Sequence, residues 1–196
     1  NFSSSTWATG SGGIGYGDGD DLTTISNTPS LYMRIEFNAN QVQLMDALIF
    51  HADYDDGFIA YLNGVEIARA NVDTIIPAYN YSPTYDREAK VYQGGRPVMW
   101  IIDEDLWKGN LTNGTNLLAV HTLNHQGANS SDMSARYWLH CGVRTNTLIN
   151  SPPANWFSFY DFESPVAICR INTFEELIED EPSIRGEMEI VWNDSS

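Results

Sequence analysis

"DYDDGFIAYLNGVEIARAN" (residues 53–71) decides the fold. Side chains alternate along an extended chain, so Phe58, Ala60 and Leu62 share one face and Ile59 and Tyr61 the other. Asn63-Gly64 supplies the positive φ angles of a two-residue type I′ turn, and "VEIARA" continues as a second strand. The stretch is therefore expected to form a β-hairpin. At its entrance, Asp55-Asp56-Gly57 has three readings: a turn or bulge, a metal site, or a catalytic carboxylate pair. Turn entry is favoured, because Asp and Gly satisfy and permit tight turns. The catalytic pair is disfavoured, because adjacent strand residues point to opposite faces and their carboxylates would diverge.

The same period of two recurs on both sides. In "LYMRIEF" (31–37), Leu31, Met33, Ile35 and Phe37 oppose Tyr32, Arg34 and Glu36. "VQLMDALIFHAD" (42–53), "GTNLLAVHTLN" (114–124) and "RYWLHCGV" (136–143) also read as strands. "DEDLWKG" (103–109) suits a short helical turn with its acids near the N-terminus. Residues 1–30, with "GSGGIGYGDGDD" at their centre, read as an extended loop, and 72–98 read as loop. Short strands, glycine- and proline-rich connections and little helix predict an all-β sandwich over 1–150. "NSPPANWFSFYDFESP" then marks a linker over 151–165, before a more acidic segment over 166–196 that opens on the strand-like "VAICRINT".

Charge narrows the partners. The chain carries 26 acidic against 10 basic residues, a net charge of −16, which repels nucleic-acid phosphates and anionic lipids. No apolar run is long enough to span a membrane. Cys141 and Cys169 are either bridged or two free thiols, and no cysteine–histidine spacing suggests zinc. Among His121, His125 and His140, the first two bracket the end of one strand and lie more than about ten ångströms apart along extended chain, which disfavours shared ligation. No nucleophile elbow, phosphate-binding loop or metalloprotease helix motif is present.

Two sets of residues are candidate sites. Asp18, Asp20 and Asp21 alternate with glycine, which lets carboxylates and carbonyls converge on a structural calcium; a solvated turn is the alternative. Asp55 and Asp56 stand behind them as further metal candidates. Aromatic faces stack on the C–H face of sugar rings, and Trp7, Tyr16, Trp100 and Trp107 lie in or beside predicted loops. Core packing is the competing role for each.

Three stretches together resemble a known pattern: "GGIGYGDGDDLTT" (12–24), "YDDGFIAYLNGVEIARAN" (54–71) and "GTNLLAVHTLNHQGANSSDM" (114–133). They are similar to a jelly-roll domain of large secreted bacterial proteins, itself similar to the galactose-binding-like sandwiches of carbohydrate-binding modules. The tail, "SPVAICRINTFEELIEDEPSIRGEMEIVWND" (164–194), resembles the opening segment of spore-coat CotH-type kinase-like domains through Ile171-Asn172-Thr173 and Asp180-Glu181-Pro182. No catalytic residue of such a domain has a counterpart here. The resemblances imply a non-catalytic extracellular or cell-surface accessory module of a multidomain protein, whose kinase-like domain would lie outside this chain. It would bind a polysaccharide or cell-surface glycan, hold a structural calcium and adjoin neighbouring domains. A spacer with no ligand of its own is the other expectation, with Trp156, Phe157, Phe159 and Phe162 buried against the sandwich.

Overall fold

The computed structural model describes residues 4–143, 168–172 and 187–191. The chain divides into two compact units, Asn1–Ile149 and Asn150–Ser196. In the second, β10 (Ile168–Asn172) pairs antiparallel with β11 (Glu187–Val191). The proposed linker and its aromatic residues lie outside the described residues.

The first unit holds β1 (Ile14–Tyr16), β2 (Thr23–Thr24), β3 (Ser30–Ala39), β4 (Met45–Tyr54) and β5 (Gly57–Leu62). After them come β6 (Val65–Ala70), β7 (Val98–Ile102), α1 (Glu104–Asn110), β8 (Gly114–Leu123) and β9 (Met133–Val143). One sheet has the order β2-β1-β9-β4-β7 and the other β3-β8-β5-β6. Setting the two-residue β2 aside, the strands run first–eighth–third–sixth in one sheet and second–seventh–fourth–fifth in the other. That connectivity is a jelly roll, the all-β sandwich expected from the sequence.

Alternation builds the core. Leu48, Phe50 and Ala52 of β4 face Phe58, Ala60 and Leu62 of β5, with Leu118 and Val120 of β8 beside them. The hydroxyls of Thr122 on β8 and Tyr137 on β9 lie 2.9 Å apart, a polar bond between the sheets. The hairpin turn forms as read, with φ of 49° at Asn63 and 89° at Gly64. The far face of β5 is not left to solvent. Ile59 packs with Val72 and Leu123, and with Tyr61 and Tyr81, so loop residues cover what a simple one-sided strand would expose.

Three local expectations change. Val42–Leu44 form a 3₁₀ turn rather than the start of a strand, following Gln41 at a left-handed φ of 56°. "VMWII" (98–102), of which Val98 belongs to the expected 72–98 loop and the rest carries no assignment, is β7, an edge strand paired only to β4 among the described residues. Within the glycine-rich 1–30 segment, Ile14–Tyr16 pair with β9, which places the acidic glycine loop at a fixed position on the sandwich.

Candidate functional site

Chain direction puts the acids at one end. Strand β4 finishes at Tyr54 in one sheet, the chain bends at Asp55 and Asp56, and β5 begins at Gly57 in the other. The loop after β1 and the residue before β9 lie at the same end, because Tyr16 pairs with Met133 and Tyr54 with Ala135. The Asn63-Gly64 turn is at the opposite end, roughly 20 Å away along six residues of strand.

In the β1 loop, Asp18, Asp20 and Asp21 each offer a carboxylate oxygen within 4.8 Å of the others. Glycines shape it: Gly17 and Gly19 take φ of 105° and 77°, and a Cβ on Gly17 would lie 2.5 Å from the Ser131 carbonyl. Arg136 of β9 donates to Asp20 Oδ2 at 2.8 Å and to the Asp20 carbonyl. Ser134 Oγ donates to Asp18 Oδ2 at 3.2 Å. The other oxygen of each aspartate, Oδ1, is buried and has no hydrogen-bond partner among the described residues. Burial, followed by the charges of Asp20 and Asp18, pushes Asp21 up to about 6, against the opposing pull of Arg136. Burial and Asp20 raise Asp18 as well. Three carboxylates facing one guanidinium, with three orphaned oxygens, fit a cation held by oxygen ligands.

Around the bend, neighbouring acids have different tasks. Asp53 accepts the N–H groups of Lys90 and Val91 at 2.8 and 2.9 Å. Asp56 accepts those of Arg87 and His125, both at 2.6 Å. These two side chains anchor the 84–93 loop and the turn after β8 on the sandwich. Asp56 thus departs from its metal candidacy: both of its oxygens are taken by backbone amides, and it is outside either group of converging acids. Asp55 instead converges with Glu88 and Asp132, their oxygens within 4.8 Å of one another. Burial, then Asp56, Asp132 and Glu88, raise the Asp55 carboxyl far above the usual range. The divergence expected of adjacent carboxylates does not occur, because residues 55–56 form the bend between sheets rather than a strand.

Neither Glu88 nor Asp132 was among the candidate site residues read from the sequence. Glu88 sits in a loop without hydrophobic period, so only an acid brought near by the Asp53 and Asp56 anchors would have signalled it.

The aromatic candidates separate. Trp107 is 1 % exposed in the core, and Tyr16 is buried with its hydroxyl accepting from Asn124 Nδ2 at 2.8 Å. Trp100 packs edge-on to Phe58 at 5.3 Å and beside Phe50 and Tyr54. These three serve packing, as large amphipathic rings mostly do. Trp7 is 36 % exposed. The loop that carries Glu88 also presents Tyr85 and Tyr92, 56 % and 38 % exposed, which the sequence reading did not single out.

The histidines are not gathered. His121 stacks on Tyr32 at 4.1 Å, His140 on His51 at 4.9 Å, and His125 Nδ1 bonds the Pro83 carbonyl at 2.9 Å. Cys141 carries a free, exposed thiol, and the side chain of Cys169 lies outside the described residues.

No family model and no curated protein matches the chain, so the CotH-type resemblance of the tail receives no support from them. Among solved structures, the chain is similar to an α-L-rhamnosidase of Streptomyces avermitilis complexed with L-rhamnose, at 16% identity and a TM-score of 0.39. The match covers 61% of this chain and 9% of the enzyme, so the chain spans about a tenth of that protein's length.

Proposed function

We propose that the first unit is a non-catalytic extracellular accessory module that binds a polysaccharide or cell-surface glycan, with calcium held structurally by Asp18, Asp20 and Asp21. The observation that carries the calcium is the trio of buried, donorless Oδ1 atoms in one glycine-shaped loop. Hard oxygen donors with no nitrogen or sulfur ligand suit calcium.

Glycan contact is assigned to Tyr85 and Tyr92, whose exposed rings flank Glu88 in sequence at the acidic end, and to Trp7. Sugar rings stack on such faces while carboxylates accept from their hydroxyls. The chain's net charge of −16 favours neutral glycans over anionic ones.

Glycan arrays followed by calorimetry on the full chain test this reading. Binding that Tyr85→Ala or Tyr92→Ala weakens at least about tenfold, with the melting temperature unchanged, supports it. Folded protein that binds no polysaccharide would leave a spacer between neighbouring domains as the function.

A further inference from the structure

Three carboxylates within four residues are almost fully buried, and the fold treats them unequally. Asp53 and Asp56 each receive two backbone N–H groups. Asp55 is 3 % exposed, and its carboxyl is hydrogen-bonded to the neighbouring acid Asp56. Its polar surroundings are other acids: Asp56, Asp132 and Glu88. A buried carboxylate among other acids is unfavourable unless a positive charge meets it.

We infer that Asp55, Glu88 and Asp132 form a second divalent-cation site, for calcium, separate from the β1 loop. Each ligand arrives from a different segment, and each segment is fixed. Asp55 N donates to the Ser134 carbonyl at 2.9 Å, setting the bend against β9. Glu88 is held between Arg87 and Lys90, whose N–H groups are bound to Asp56 and Asp53. Asp132 has its carbonyl bound by Asn124 Nδ2 at 2.9 Å and its Oδ1 by Ser131 Oγ at 3.0 Å. Asn124 is itself fully buried, and its Oδ1 is a further orphaned oxygen.

Nearby guanidinium groups are engaged elsewhere. Arg136 holds Asp20, while Arg87 donates to the Tyr54 carbonyl and lies 3.7 Å over the Tyr54 ring. Oxygens within 4.8 Å of one another can share an ion at the roughly 2.3–2.6 Å of calcium–oxygen bonds. Asp55 is buried, Asp132 half-buried and Glu88 exposed, so the site opens to solvent on the Glu88 side and leaves positions for water. The site stands on this geometry and does not depend on the glycan reading.

The competing occupant is a proton, which would leave Asp55 neutral and donating to Asp56. Calcium titration of the chelator-stripped full chain by calorimetry, at pH 7, separates the two. Two calcium ions per chain are expected. Glu88→Gln and Asp132→Asn should each weaken one of them at least about tenfold and spare the other, while Asp20→Asn does the reverse. Glu88 is exposed, so its variant remains informative even if Asp55→Asn fails to fold. A single ion lost only in Glu88→Gln keeps this site and removes the β1-loop calcium. Calcium binding that Glu88→Gln and Asp132→Asn both leave unchanged overturns the inference, as does no calcium binding by the folded protein.

Discussion

Ser134 of β9 donates its hydroxyl to Asp18 Oδ2 at 3.2 Å, while its carbonyl accepts the Asp55 N–H at 2.9 Å. One strand residue therefore stands between the glycine-loop acids and the acids at the sheet-to-sheet bend. Glu88 feels Asp18 as well as Asp132, Asp86 and Asp56, so the end of the sandwich acts as one electrostatic region.

Calcium should stabilise this end, and protons should compete with it. Ions that bind only the folded chain raise stability by about 2.7 kcal/mol at a hundredfold excess over Kd, or roughly 5–10 °C for a chain of this size. The folded pKa of Asp21 is raised from 3.8 to about 6. Metal-free protein therefore binds more protons folded than unfolded between those values. Asp21 contributes its full stabilisation below 3.8, and that contribution is lost as pH rises through 6. Calcium reverses the preference by requiring the carboxylate. The melting temperature in excess calcium minus that in chelator should be positive at pH 7 and shrink below pH 6. Thermal melts in the two solutions at pH 7, 6 and 5 give the answer; coincident curves at pH 7 remove calcium from the account.

Gly15 makes the acidic loop possible by its lack of a side chain. A Cβ there would lie 1.9 Å from the Met133 carbonyl and 2.7 Å from Asp21 Oδ1. The first neighbour is backbone and cannot step aside, so Gly15→Ala must push β1 away from β9. Because Gly15 pairs with Ser134, the displacement reaches Asp18 through the Ser134 hydroxyl. Gly15→Ala is expected to lose most of the calcium-dependent rise in melting temperature. Gly64→Ala, at a φ of 89° with open space around it, should cost only about 1 kcal/mol and keep that rise. Equal calcium responses in both variants would refute this role for Gly15.

How much of this was legible in the sequence depends on what carries each feature. The hairpin is written in side-chain alternation and in Asn63-Gly64, both local. The β1 acids are legible too, because glycine spacing and carboxylates lie in one short run. The turn at Asp55-Asp56 forms as favoured, but the tasks of Asp53 and Asp56 were not legible, because their partners are backbone amides of residues 87, 90, 91 and 125, which any sequence possesses. Glu88 reaches the site only through those amides. Trp107 misled for another reason: the short helix expected there forms, seven residues long, but its polar neighbours in sequence give no sign that the Trp107 ring fills the core.

At the opposite end, Asn116 acts as a buried polar staple. Its Nδ2 donates to the Thr112 and Gly114 carbonyls at 2.7 and 2.9 Å, and its Oδ1 accepts from Thr112 N and from Asn63 Nδ2 at 2.9 and 2.8 Å. Asn63 Oδ1 in turn accepts Leu117 N at 2.8 Å, so hairpin turn and β8 share one network. Asn116→Leu keeps the volume and strands those partners, and should cost about 2–4 kcal/mol in urea unfolding. A loss below about 0.5 kcal/mol would mean that water replaces the network.

His121 governs part of the acid limb. It is buried against Tyr32, with Nε2 unpartnered among the described residues, and burial lowers its pKa from 6.5 to about 4. The unfolded chain therefore binds a proton between those values that the folded chain refuses. Stability from His121 is complete above pH 6.5 and is lost as pH falls through that window toward 4. The full effect is about 3 kcal/mol at most, from about 1.4 kcal/mol per unit of pKa difference. His121→Phe keeps an aromatic ring over Tyr32 and removes the titration. Urea unfolding at pH 7, 5.5 and 4.5, all in chelator, should show the gap between variant and parent shifting in the variant's favour as pH falls. Parallel losses in the two proteins would place the acid sensitivity elsewhere, with His51 the next residue to replace: burial, then His140, lower its pKa to about 4 as well.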